Sequence, residues 1–224
     1  MPERLSIAAL LLLCLALPAG LLAQEAGEKE APPAPEAEAE APEDAEEAVE
    51  EEVPNPAPDF RVKDVAGRER TLAEFKGRIV VLEWASHSCP YVKKHYDCNN
   101  MQSLQKSYTG KGVVWLTVCS SGPGRGGHMG PEVWAKVLEK LGASATATLL
   151  DEDGKLGHAY GAKKTPHFCI VDKRGSRVYE GAIDDKPRAR KAEEIAEAKN
   201  YVRLALDALL EDKAPPVART DAYG

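Results

Sequence analysis

Cys89 is the residue best placed to do chemistry in this chain, because Pro90 follows it where a strand-like run gives way to a helical pattern. A thiol attacks only as thiolate, and a helix N-terminus favours the thiolate by turning unpaired amide N–H groups toward the sulfur. Ser86 and Ser88 offer hydroxyl donors, and His87, Lys93, Lys94 and His95 surround the position with positive charge or further donors. That set points to redox chemistry at sulfur, by attack on a peroxide oxygen or on a disulfide. The competing reading is an inert buried cysteine, since free cysteine is among the most buried residue types.

Cys98 lies nine residues further on. On an unbroken helix that separation spans about 13 Å, whereas a disulfide needs Cα atoms within roughly 7 Å. Cys98 can therefore resolve an oxidised Cys89 only if the chain breaks near Asp97; otherwise it is a spectator. Cys119 ends one apolar run and Cys169 lies in another, the setting of core cysteines. Cys14 sits in an apolar stretch near the start of the chain and is expected to be discarded with it.

A different class of function uses the same stretch, because His87, Cys89, His95 and Cys98 form two ligand pairs of the kind that suits copper(I) or zinc. An unbroken helix would point the two thiols to opposite faces, which weakens this metal-handling alternative. The segment Ser121 to Gly130 is rich in glycine but lacks the lysine and hydroxyl residue of a phosphate cradle, and it reads as a surface loop beside the site. His158 reads as a surface residue, His167 as strand-borne and near the site.

The elements that must hold Cys89 are legible around it. Arg78 to Ser86 and Gly112 to Ser120 are short runs rich in valine, the pattern of strands buried on both faces. Parallel strands need a crossover, and Pro90 to Lys111 supplies one, with an expected break at Asp97–Asn100 and Asn99 or Asn100 as N-cap of its second half. A helix is predicted over Pro131–Leu141, with proline at its first position. Strands follow at Ala147–Leu150, Phe168–Val171 and Val178–Ile183, each of the first two ahead of a turn signal, with the last two an antiparallel pair. A final helix is predicted from Ala189 to Leu210, stopped before Pro215-Pro216. The fold class is α/β: a mixed central sheet with helices on both faces.

The N-terminal quarter has another character. An apolar run from Leu5 to Leu17 ending in Pro18-Ala19-Gly20-Leu21-Leu22-Ala23 is built like a secretory signal peptide and is short for a membrane span. Residues 24–55 hold thirteen acidic side chains against Lys29, so this stretch carries −12 and the rest of a −7 chain carries +5. Such a stretch cannot bury enough apolar surface to fold and reads as a disordered tether. The predicted organisation is a signal peptide at 1–23, a tether at 24–55, one domain at 56–212 and a tail at 213–224. The chain is expected to be exported to the periplasm or the extracellular space, with no membrane span in the mature protein. A net charge of +5 is too slight to imply nucleic acid, and nothing in the sequence speaks to oligomeric state.

Residues 56–212 resemble the thioredoxin-like superfamily, in the peroxiredoxin or redoxin branch (alkyl hydroperoxide reductase and thiol-specific antioxidant). The resemblance is carried by Ala57-Pro58-Asp59-Phe60, the lead-in Leu72–Gly77, the strand Val80–Trp84, Cys89-Pro90 and Thr165-Pro166. It implies a three-layer fold, Pro166 as a cis-proline with Thr165 facing the active-site cysteine, and a thiol-dependent oxidoreductase or antioxidant that needs neither cofactor nor metal. The alternative for Thr165-Pro166 is simply the start of a strand. The implied strand order places Val80–Trp84 between Cys119 and Cys169, so those two should not pair.

The departures are informative. The dithiol of a thioredoxin is absent, because Cys89 has no cysteine three places on. Ser86 fits the hydroxyl residue that a peroxiredoxin-like site carries three places before its Cys-Pro, but Leu82 and Glu83 occupy the stretch of that family's upstream proline. Lys163 and Lys164 stand before Thr165 where an arginine would be expected, and a lysine lacks the planar fork that holds a peroxide oxygen. The expected partners are an external thiol reductant or a protein disulfide substrate. A non-catalytic binding module that kept the fold is the other alternative, since fold alone does not assign function.

Overall fold

A computed structural model describes residues 53–224. The expected signal peptide and almost all of the expected tether lie outside the described residues. The entry segment is tied down at once: Pro56 bridges Ser176, and the Asn55 side chain donates to the Arg177 carbonyl. Arg61–Lys63 (β1) and Glu69–Thr71 (β2) then form a small antiparallel hairpin, followed by a 3-10 turn at Ala73–Phe75 that buries Phe75. These strands are three residues long and mostly charged, which is why periodicity did not mark them.

Val80–Trp84 (β3) is buried at every residue and runs into the helix Pro90–Asp97 (α1). Asn100–Thr109 (α2) completes the crossover to Val114–Cys119 (β4), which pairs with β3 in parallel. Between the helices Asn99 takes a left-handed conformation (φ 59°), so the expected break exists, but it falls after Cys98 rather than between the two cysteines. Pro131–Leu141 (α3) leads to Ala147–Leu150 (β5), which extends the sheet in parallel beside β4. A five-residue helix not foreseen from the sequence, Lys155–Ala159 (α4), follows; its interior Gly157 masks the helical signal.

His167–Val171 (β6) and Arg177–Gly181 (β7) are the expected antiparallel pair, with β6 antiparallel to β3. The sheet order is β5-β4-β3-β6-β7. β3 thus separates Cys119 from Cys169, and all four cysteines of the described residues are free. The single closing helix predicted from Ala189 to Leu210 is instead two, Ala192–Ala196 (α5) and Tyr201–Leu210 (α6). The break has a local cause. Asn200 bridges Asp184, Tyr201 N–H donates to the Ile183 carbonyl, and the Asn200 side chain caps α6 by accepting from Arg203 N–H at 2.8 Å.

Strand alternation sends β3 side chains to two cores. Val81 and Ala85 join α1, α2 and α6 in one, and Val80, Leu82 and Trp84 join Leu149, Leu156 and Phe75 in the other. Residues 213–224, expected as a separate tail, return to the domain: Glu180 on β7 pairs in parallel with Arg219, and Tyr223 packs on the first core. Among the described residues no helix is long and apolar enough to cross a membrane.

Candidate active site

The strand-to-helix junction fixes Cys89 as the N-cap of α1, with Pro90 at the first helical position, where a missing N–H is harmless. The Cys89 carbonyl accepts from Val92 and Lys93 N–H, and its own N–H donates to the Ser86 carbonyl at 3.0 Å. Its side chain is partly exposed, and the thiol donates to the Thr165 carbonyl at 3.0 Å. The Thr165–Pro166 peptide bond is cis, and Pro166 is buried. Three predicted site residues, Cys89, Thr165 and Pro166, therefore come together from turns 76 residues apart in the chain.

The other two make their hydrogen bonds elsewhere. Ser86 Oγ hydrogen-bonds Ser88 Oγ at 3.0 Å, and Gly127 of the glycine-rich loop lies so close that a Cβ there would overlap Ser86 Oγ. The loop is thus packed against the serines, and Gly127, at φ 84°, is one position where only glycine serves. Cys98 caps the opposite end of α1, an uninterrupted helix, with its thiol near the His95 carbonyl at 3.7 Å. The axial separation of about 13 Å therefore stands, and an internal Cys89–Cys98 bridge requires α1 to unwind. His167, the first residue of β6, packs edge-on against Trp84. Among the described residues no group of three or more His, Cys, Asp or Glu is arranged to hold a metal.

A buried carboxyl on β3 anchors the other face of α1. Glu83, fully buried on β3, accepts from Tyr96 Oη at 3.1 Å, Gln105 Nε2 at 3.1 Å, Trp115 Nε1 at 2.7 Å and Thr117 Oγ1 at 3.3 Å. Burial raises its pKa to about 7, against the lowering effect of these donors. The parity of β3 was the available signal, since it places Glu83 on the same face as Val81 and Ala85. A small cavity of about 60 Å³ is lined by Tyr96 and Thr117 of this network, by Ala85 and His87 ahead of Cys89, and by Val92 and Trp134 among others.

Fold and junction together define a thioredoxin-like protein of the thiol oxidoreductase kind. The chain belongs to the AhpC/TSA family, whose model matches residues 53–179, more than half of its length. No curated protein is significantly similar. Among solved structures, an uncharacterized conserved protein from Geobacillus kaustophilus is similar at 29% identity, covering 76% of this chain and 87% of that one, with a TM-score of 0.63. A hypothetical protein from Sinorhizobium meliloti 1021 shares the fold at 24% identity, 77% and 92% coverage and a TM-score of 0.62.

Proposed function

We propose that this is an exported one-cysteine thiol oxidoreductase in which Cys89 attacks a peroxide or a disulfide. The observation that carries the reading is the position of the Cys89 thiol, partly exposed at the N-terminus of α1 and held on the Thr165 carbonyl. Attack on a disulfide forms a Cys89–sulfur bond, breaks the S–S bond and expels the second sulfur as a thiolate. Attack on a peroxide breaks the O–O bond, leaves a sulfenic acid on Cys89 and releases water or an alcohol. Either product returns to the thiol by two-electron reduction with an external thiol, because Cys98 stands at the far end of α1. Export rests on the segment Leu5–Ala23 and is tested by cell fractionation with N-terminal sequencing of the recovered protein; recovery only from the cytoplasm with Met1 retained would overturn it.

The experiment is turnover of hydrogen peroxide, and separately of a small disulfide, with dithiothreitol as reductant. Cys89→Ser is expected to lower the active rate about a hundredfold or more, and Cys98→Ser to leave it within about threefold. Activity unaffected by Cys89→Ser would remove Cys89 as the nucleophile, and its absence with both oxidants would replace this reading with the binding module.

A further inference from the structure

β7 is the terminal strand of the sheet, and a terminal strand presents unpaired N–H and C=O groups to any extended polypeptide. Here that edge is taken at Glu180. Glu180 N–H donates to the Ala218 carbonyl and Thr220 N–H to the Glu180 carbonyl, both at 3.0 Å. The Thr220 hydroxyl accepts from Ala182 N–H at 2.9 Å and pairs with Tyr179 Oη at 2.7 Å. Gly181, at φ 137°, makes this approach possible, since a Cβ there would overlap Thr220.

The segment then crosses to the cysteine. Tyr223 donates to Asp184 Oδ1 at 2.7 Å and accepts from His95 Nε2 at 3.1 Å, the tautomer set by Asn100 Nδ2 donating to His95 Nδ1 at 2.9 Å. The Lys94 ammonium lies 4.9 Å above its ring. Gly224 follows, its backbone so close to Thr165 that a Cβ would overlap the carbonyl that receives the Cys89 thiol. One continuous segment thus lies along both the free sheet edge and the Thr165 backbone beside the nucleophile, while Cys89 keeps part of its surface open.

We infer that residues 218–224 are the specificity determinant of the Cys89 site: docked, they admit small oxidants and exclude an extended polypeptide disulfide. The inference rests on the oxidoreductase reading above and names its substrate class. A polypeptide would enter by adding a strand to β7 and running on past Thr165, the strip this segment fills. A hydroperoxide or a low-molecular-weight disulfide needs only the exposed part of the sulfur.

The test compares two disulfides with the same leaving group, 2,2′-dithiodipyridine and an extended ten-residue peptide whose central cysteine carries a 2-thiopyridyl group. In each, the Cys89 thiolate forms the new S–S bond, pyridine-2-thiolate leaves with the bonding electrons, and the thiol proton passes to solvent. Rates are read from thione release in the full chain with Cys98→Ser, with and without residues 218–224. The peptide should react at least about tenfold more slowly than the small probe in the full chain, and deletion should raise the peptide rate about tenfold while moving the small-probe rate less than about threefold. Tyr223→Ala combined with Thr220→Ala serves if the deletion does not fold. Equal rates for the two probes in the full chain, or a deletion that changes both alike or neither, would overturn the selector. Cys89 inert to both probes in every folded form would sink the oxidoreductase reading itself, which the selector outcomes leave standing.

Discussion

The hydroxyl of Tyr96 on α1 donates to the buried carboxyl of Glu83 on β3 across 3.1 Å, tying the helix that begins at Cys89 to the centre of the sheet. A carboxyl sealed in this way titrates differently in the folded and unfolded chain, and so does the nearby imidazole of His95, which is fully buried and whose pKa is lowered to about 3, first by burial and then by Lys94.

The two groups act with opposite sign. The folded value of Glu83 is raised from 4.5 to about 7, so its contribution is complete below pH 4.5 and is lost as pH climbs through 7, by on the order of 3 kcal/mol. The folded value of His95 is depressed from 6.5, so its contribution is present above 6.5 and is lost as pH falls toward 3. Between pH 4.5 and 6.5 the slopes oppose each other in the natural chain. Glu83→Gln removes one of them, and the stability of the variant relative to the natural protein should rise across pH 4.5–7 by on the order of 3 kcal/mol. Denaturant titrations at several pH values measure this, and parallel curves for the two proteins would contradict it.

The four cysteines of the domain should separate cleanly under native alkylation. Burial pushes the Cys169 thiol up to about 12 and raises that of Cys119, whereas Cys89 and Cys98 are partly exposed. Iodoacetamide at pH 7.5 followed by mass spectrometry should modify only Cys89 and Cys98 in the folded protein, with Cys119 and Cys169 reacting after unfolding. Early modification of Cys169 would show that the β3–β6 core opens far more readily than its burial implies.

The positions of these cysteines were legible because each rests on local pattern. Buried valine-rich runs gave β3 and β4, and Pro90 after Cys89 gave the start of α1. What stayed hidden depends on contacts across the fold. Glu83 acquires its character from Tyr96, Gln105, Trp115 and Thr117, which no spacing rule brings together. The split between α5 and α6 depends on Asp184 reaching Asn200. The docking of Tyr223 depends on a pocket made by His95 and Asp184, and the tail's own proline-containing and charged composition gives no sign of it. The break after α1 was expected at the right residues, but it falls beyond Cys98, at Asn99, and so keeps the two thiols apart.

That separation has a chemical consequence. Once oxidised by stoichiometric peroxide, Cys89 cannot be reached by Cys98 while α1 is intact, so its sulfenic acid should persist long enough for capture by dimedone. Mass spectrometry should find the dimedone adduct on Cys89 in the natural chain and in Cys98→Ser to a similar extent, within about twofold. A Cys89–Cys98 disulfide that replaces the adduct would show that α1 unwinds during the reaction and would restore Cys98 as the resolving residue.

The Tyr223 hydroxyl is the remaining relationship open to a clean substitution. It accepts from His95 and donates to Asp184, whose Oδ2 has no hydrogen-bond partner and lies 3.8 Å from His95 Nε2. Tyr223→Phe keeps the ring under Lys94 but leaves a buried imidazole N–H unpaired and the carboxylate with one donor fewer. The expected loss at pH 7 is about 1–3 kcal/mol, because an unmade bond at a buried polar group forfeits its desolvation. Tyr91→Phe is the matched control: that ring contacts Tyr223 at a centroid separation of 5.9 Å, and its hydroxyl makes no hydrogen bond among the described residues. The control should stay within about 0.5 kcal/mol of the natural protein. Equal, small losses for the two variants in urea titration would mean that water replaces the Tyr223 hydroxyl without penalty and that the segment is held by its other contacts, the backbone pairing with Glu180 and the Thr220 hydroxyl among them.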